Sequence, residues 1–211
     1  ERAMGDVKYQ VSLGARIPGS KAHAQTVEWI AGQLQEANWS VEIQKMTYQS
    51  HPIRNIVARW GRGSPWVVLG AHFDSRLMAD RDPDPSLRNL PVPGANDGAS
   101  GVAVLLELAR NLPSRMAASE NPGSACWGSV WLVFFDAEDQ GNLPGWDWIL
   151  GSRAFVSSLK TLPDAAVIVD MVGDADLDIY IEENSDADLA GQIWLTASSL
   201  DFSEFIDLPR H

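Results

Sequence analysis

Ser129-Val130-Trp131-Leu132-Val133-Phe134-Phe135-Asp136-Ala137-Glu138-Asp139 decides the reading of this chain. An unbroken apolar run is expected of a strand covered on both faces, as in α/β proteins. The acids that follow it stand where the strand's carboxyl end meets solvent. The same grammar recurs. Val67-Val68-Leu69 leads to His72-Phe73-Asp74, Val167-Ile168-Val169 leads to Asp170, and Asn96-Asp97-Gly98 opens a helix. In an open α/β sheet, ligands bind in the crevice outside the carboxyl ends of the strands. Carboxylates and an imidazole gathered there repel one another unless a cation holds them. The pattern therefore predicts a metal site, with two ions.

Outward from this stretch the chain alternates. Residues 4–13 and 21–37 carry helical apolar spacing, with Gly14-Ala15-Arg16-Ile17-Pro18-Gly19-Ser20 as a break between them and Ser20 as the N-cap of the second helix. Residues 39–48, 53–60 and 66–71 read as strands. A Pro-, Asp- and Arg-rich loop spans 74–94, and Val102, Leu105, Leu106 and Ala109 line the next helix. Pro113 is expected to end that helix and begin a polar loop to 128. Helices at 152–159 and 187–200 and strands at 165–172 and 178–181 complete the chain. The prediction is α/β: a mixed, mostly parallel central sheet with helices on both faces, in a single domain over 1–211.

Composition narrows the function. The 211 residues are 45% apolar, enough for a packed core, and the formal net charge of −12 argues against nucleic acid and anionic membranes as partners. Cys126 is the sole cysteine, which excludes an internal disulfide and a cysteine zinc site. No apolar span approaches transmembrane length. The chain opens at Glu1 without a signal-like start, which leaves room for a removed targeting segment.

Each candidate residue has a plainer alternative. His72 is either a ligand or a histidine packed at a strand end. Asp74, two residues on, points the same way and braces it. Asp97 is either a ligand able to bridge two ions or a helix cap. Glu138 and Asp139 diverge on a turn, so one can hold metal while the other serves as general base; the alternative is two solvated acids. Asp136 points elsewhere by strand alternation. Asp170, inside a strand expected to be buried, is costly unless paired or metal-bound. Asp174, Asp176 and Asp178 lack the glycine and glutamate of a calcium loop. Trp146 and Trp148 either pack or line a pocket. No nucleophile elbow, phosphate loop or His-Glu-x-x-His is present.

The blocks Gly70-Ala71-His72-Phe73-Asp74-Ser75, Gly94-Ala95-Asn96-Asp97-Gly98-Ala99-Ser100-Gly101, Phe135-Asp136-Ala137-Glu138-Asp139-Gln140-Gly141, Gly151-Ser152-Arg153 and Val169-Asp170-Met171-Val172-Gly173 together resemble the co-catalytic zinc aminopeptidases and their glutaminyl cyclase relatives. The resemblance implies a zinc metallohydrolase acting on a peptide or small N-terminal amine, in a secreted or extracytoplasmic setting. It implies that His72 and Asp170 hold one Zn2+, Asp97 bridges, Asp139 holds the second, Glu138 is the general acid/base and Asp74 supports His72. Gly14 to Ser20 and the stretch from Trp146 to Arg153 look like the cyclase branch, which forms N-terminal pyroglutamate with a single zinc. The block from Asn96 to Gly101 looks like the hydrolytic branch. Asp139 departs from the family's usual glutamate. The family also places a further histidine on a late loop, so 1–211 is expected to lack the last segment, with the terminal His211 expected to be frayed rather than to replace that ligand, and with one or two ions bound here. An inactive or single-metal fragment is the third reading.

Overall fold

The computed structural model describes residues 1–118 and 128–210. Cys126, most of the polar stretch expected at 113–128, and His211 lie outside the described residues. The chain forms two compact units, Glu1–Met171 and Val172–His211. All six candidate site residues belong to the first.

That unit is built on five strands, β1 (Ser40–Tyr48), β2 (His51–Gly61), β3 (Trp66–His72), β4 (Ser129–Phe135) and β5 (Ala165–Ile168), in the order β1-β2-β4-β3-β5. β3 runs parallel to both β4 and β5, whereas β2 is antiparallel to β1 and β4. The expected parallel character thus holds for the half that carries the candidate residues. Gln49 and Ser50, both at positive φ, fold β1 back on β2, so that this pair is antiparallel.

Helices α1 (Arg2–Ser12), α2 (Lys21–Glu36), α3 (Ala99–Ala118) and α4 (Leu150–Ser158) complete this unit. Ser20 caps α2 by accepting the His23 amide. Strand alternation sorts the core onto two faces. Ile56, Ala58, Ala71, Leu132 and Phe134 pack with Ile30 and Leu34 of α2 and Val102, Leu105 and Leu106 of α3. Val57, Val68, Val133 and Phe135 pack on the opposite face with Phe155 of α4. β4, the middle strand, is covered on both sides, which is why its sequence is continuously apolar.

Two elements of this unit differ from the sequence reading. First, α3 continues through Pro113 to Ala118. Proline removes the amide that would bond the carbonyl four residues back. That carbonyl, of Ala109, instead accepts the buried indole N–H of Trp39 at 2.8 Å. Trp39→Phe is therefore expected to cost about 1–3 kcal/mol by leaving a buried acceptor unmet, seen as a lower urea midpoint. Adding Pro113→Ala restores a backbone donor and should recover part of the loss.

Second, β5 is shorter than expected and lies at the sheet edge, paired with β3 alone, so Ile168 is 58% exposed. Asp170 consequently stands two residues past the strand rather than inside a buried one, with its side chain 55% exposed. An edge strand has one covered flank, and the apolar pattern of 165–172 did not distinguish it from a central one.

The second unit contains β6 (Ile179–Glu182), α5 (Ala187–Ser199) and β7 (Phe205–Arg210). Asp186 caps α5 through the Leu189 amide. Trp194 donates to the Ile206 carbonyl at 2.9 Å and meets the Phe205 ring edge-on, which seats β7 parallel to β6. Among the described residues no helix is long and apolar enough to cross a membrane.

Candidate metal centre

Parallel pairing brings three strand ends together. Gly70 is in register with Ile168 and His72 with Phe135, so His72 lies next to the 169–170 segment on one side and the acidic turn after β4 on the other. The turn leading into α3 delivers Asp97. His72 Nε2 is 3.0 Å from Asp97 Oδ1 and 3.3 Å from Asp170 Oδ1. One ligand atom from each of these residues falls within 4.8 Å of the others. Three of the four expected metal ligands thus converge.

This donor set fits a divalent cation. An imidazole nitrogen and two carboxylates make three protein ligands with room for another, the complement of a catalytic zinc site. A single Nε2–H cannot point at both carboxylates, whereas one ion between the three would satisfy all of them. Burial pulls the His72 imidazole down, but its hydrogen bonds to Asp170, Asp74 and Asp97 win and raise it well above its ordinary value. Reciprocally, the hydrogen bond to His72 outweighs burial and lowers Asp170.

Asp74 braces the centre. It is fully buried, and its Oδ1 lies 3.3 Å from His72 Nδ1, which turns Nε2 towards the other acids. It also accepts the amides of Glu138 (3.0 Å) and Asp139 (3.3 Å) and the Gln140 side-chain N–H (3.0 Å). Burial alone would raise this carboxyl; hydrogen bonding and charge from His72, with the amide and amide-side-chain donors, hold it below its ordinary value.

Ala137, buried at φ 54°, turns the chain after β4. The Glu138 carboxylate accepts Ser152 N at 2.7 Å with one oxygen and Ser152 Oγ at 2.8 Å with the other, at the start of α4. Burial pushes Glu138 up to about 7 against those hydrogen bonds. Asp139 stands outside the trio, with Oδ1 3.7 Å from Arg76 Nη1. Burial, then the charges of Asp97 and Asp74, push it up to about 7. Asp136 faces away from the site and is fully buried, 2.7 Å from His23 Nε2 and accepting the Arg54 amide. Trp146 stacks on His51 at 3.8 Å; Trp148 is 37% exposed beneath the Arg76 guanidinium.

Sequence reasoning assigned no role to Ser152, Arg76 or Gln140. Ser152 had a usable signal, a hydroxyl at the start of the helix that follows the acidic pair. Arg76 pairs locally with Asp80, four residues on, but it also donates to the Asp139 and Gly141 carbonyls more than sixty residues away, which no local pattern announces.

A cation held by this trio would compete with protons. A protonated His72 has no lone pair at Nε2, and protons on Asp139 or Glu138 remove negative charge beside the ion. Because Glu138 and Asp139 are raised to about 7, the competition they add reaches neutral pH. Affinity for a divalent cation is expected to climb between about pH 6 and about pH 8, with protons released on binding. Calorimetry in buffers of different ionisation enthalpy measures both.

Comparison with known proteins follows the same lines. The profile of Peptidase family M28 matches residues 55–205. The structure of a Zn-dependent exopeptidase from Parabacteroides distasonis aligns with a TM-score of 0.87 at 29% identity, over 99% of this chain and 75% of that one. That of Tannerella forsythia glutaminyl cyclase gives 0.84 at 30% identity, over 99% and 75%. Leucine aminopeptidase 1 of Coccidioides posadasii is 28% identical over 207 residues, 92% of this chain and 48% of that protein. Glutaminyl-peptide cyclotransferase of Drosophila melanogaster is 29% identical over 180 residues, 78% of this chain and 46% of that protein. The chain spans less than half the length of these two curated relatives.

Proposed function

This chain belongs to Peptidase family M28, and on that premise we propose that it is a zinc-dependent enzyme that releases the N-terminal residue of peptides. The observation that carries this reading is Glu138, a carboxyl raised to about 7 on the turn that Asp74 ties to His72. Zinc held by His72, Asp97 and Asp170 would polarise the scissile carbonyl and make water acidic enough to lose a proton near neutral pH. The side chains do the rest. Glu138 takes the proton of the attacking water and returns it to the departing amine, both of which suit an acid with a pKa near the working pH. Asp74 orients His72 and, through two amides, fixes the turn from which Glu138 projects. Asp139, raised by burial and then by the charges of Asp97 and Asp74, is the carboxylate available with Asp97 for a second ion or for the substrate's ammonium group. Trp148, exposed near this turn, offers an apolar wall for the first side chain.

A second reading is favoured by two specific observations. The trio accounts for a single ion, and Asp139 is engaged by Arg76. In that reading the chain cyclises N-terminal glutamine, and Glu138 carries a proton from the substrate amine to leaving ammonia. Incubation of the zinc-loaded protein with a leucyl and a glutaminyl peptide, followed by mass spectrometry, separates them. Free leucine is expected. Pyroglutamyl peptide with the leucyl peptide intact would replace the first reading by the second, and zinc-loaded protein inert to both would contradict each.

A further inference from the structure

The block from Gly14 to Ser20 lies far from the metal centre in sequence, yet Arg16 reaches it. We propose that Arg16 is a positioning residue of the metal centre, locking the turn that carries Asp97 against the strand end that carries His72. The inference rests on the metal-centre reading given above.

Arg16 is fully buried in the connection between α1 and α2. Its guanidinium donates from Nε to the Phe73 carbonyl at 2.7 Å, from Nη1 to the Pro93 carbonyl at 2.9 Å and from Nη2 to the Gly94 carbonyl at 2.6 Å. Its own amide donates to Ser75 Oγ at 2.9 Å, and the Ser75 amide donates back to the Arg16 carbonyl at 3.2 Å. One side chain therefore joins the residues just after His72 to the residues just before Asp97. These partners are carbonyl oxygens, and a buried charge is costly unless compensated. The compensation comes from the site itself: Asp74 and Asp97 act on Arg16 through their charge and oppose the downward pull of burial on its pKa.

The glycines around Asp97 bear independent witness. Gly94 and Gly98 both adopt positive φ, at 67° and 89°. A Cβ on Gly94 would sit 2.6 Å from Arg16 Nη2 and 2.8 Å from Ser75 Cβ. A Cβ on Gly98 would sit 2.7 Å from the Asp74 carbonyl oxygen and 3.3 Å from both Arg16 Nη2 and His72 Cε1. The turn carrying Asp97 is thus shaped around the guanidinium and the imidazole together. Lysine cannot replace the planar fork, since its single ammonium does not present three donors in the directions of three fixed carbonyls.

The test measures zinc affinity by competition with a chromophoric chelator, in wild type, Arg16→Lys, Arg16→Met and a core control, Leu34→Ala. Both Arg16 variants are expected to bind zinc at least about tenfold more weakly, as for other supports of metal ligands, while Leu34→Ala, merely less stable, keeps wild-type affinity. Arg16 variants within about threefold of wild type, or a control that loses as much as they do, would overturn the proposal. Should the Arg16 variants not fold, hydrogen exchange on wild type decides. Protection of the Ser75 and Ala99 amides that is equal with and without zinc supports a preassembled turn; protection that appears only with zinc contradicts it. Wild-type protein that takes up no zinc overturns the metal-centre reading and this inference together, whereas normal uptake with unaffected variants overturns the inference alone.

Discussion

Glu138→Gln is expected to lower turnover by about 10²–10⁴-fold, the usual contribution of a general acid/base, while zinc content stays at the wild-type level. Glutamine keeps the size of the side chain. It also keeps both contacts, because its oxygen accepts the Ser152 amide and its N–H₂ donates to the Ser152 hydroxyl, where the carboxylate accepts from each at 2.7 and 2.8 Å. What it cannot do is carry a proton. Glu138 is not one of the three residues grouped for an ion, so the ion has no reason to leave. The combination separates proton transfer from metal binding. Turnover surviving at near the wild-type rate would remove Glu138 from the mechanism. Loss of zinc along with activity would make it a ligand instead.

Asp97→Ala is expected to weaken zinc binding by more than about a hundredfold, beyond the range for groups that only support a ligand. The metal-free fold should survive, because the Asp97 side chain is 38% exposed and lies on a turn. Asp74→Ala carries the opposite signature. Asp74 is fully buried and serves His72, two backbone amides and Gln140, so its removal strands buried donors and should cost about 3–5 kcal/mol of stability before any metal is added. Equilibrium dialysis against zinc, paired with urea unfolding of the metal-free proteins, distinguishes the two. If Asp97→Ala binds zinc normally, Asp97 is a helix-turn residue and no ligand.

Much of this architecture is legible in the chain because the responsible signals are local. The two-sided core of β4 is written in 130–135, and His72, Asp97 and Asp170 announce themselves as polar residues at the ends of apolar runs or at the mouth of a helix. The i, i+2 spacing places Asp74 under His72, as the 3.3 Å contact shows. What was not legible depends on partners distant in sequence. Whether Pro113 ends α3 is decided by Trp39, 70 residues from the carbonyl it satisfies. Whether Asp170 is buried is decided by the place of β5 at the sheet edge, which the sequence does not number. Which of Glu138 and Asp139 turns towards Ser152 and which towards Arg76 is decided by Ala137 at positive φ, a conformation alanine does not advertise. Arg16 looked like part of a helix break, and its role emerges only once three carbonyls from two other segments surround it.

The central claim is that His72, Asp97 and Asp170 share one ion. Anomalous diffraction at the zinc edge, from crystals of the protein loaded with zinc, tests it most directly. The account predicts a peak bonded to His72 Nε2 and to an oxygen of Asp97 and of Asp170, absent from crystals of Asp97→Ala. Zinc bound by other residues, with these three side chains ordered and none of them touching it, would contradict the account.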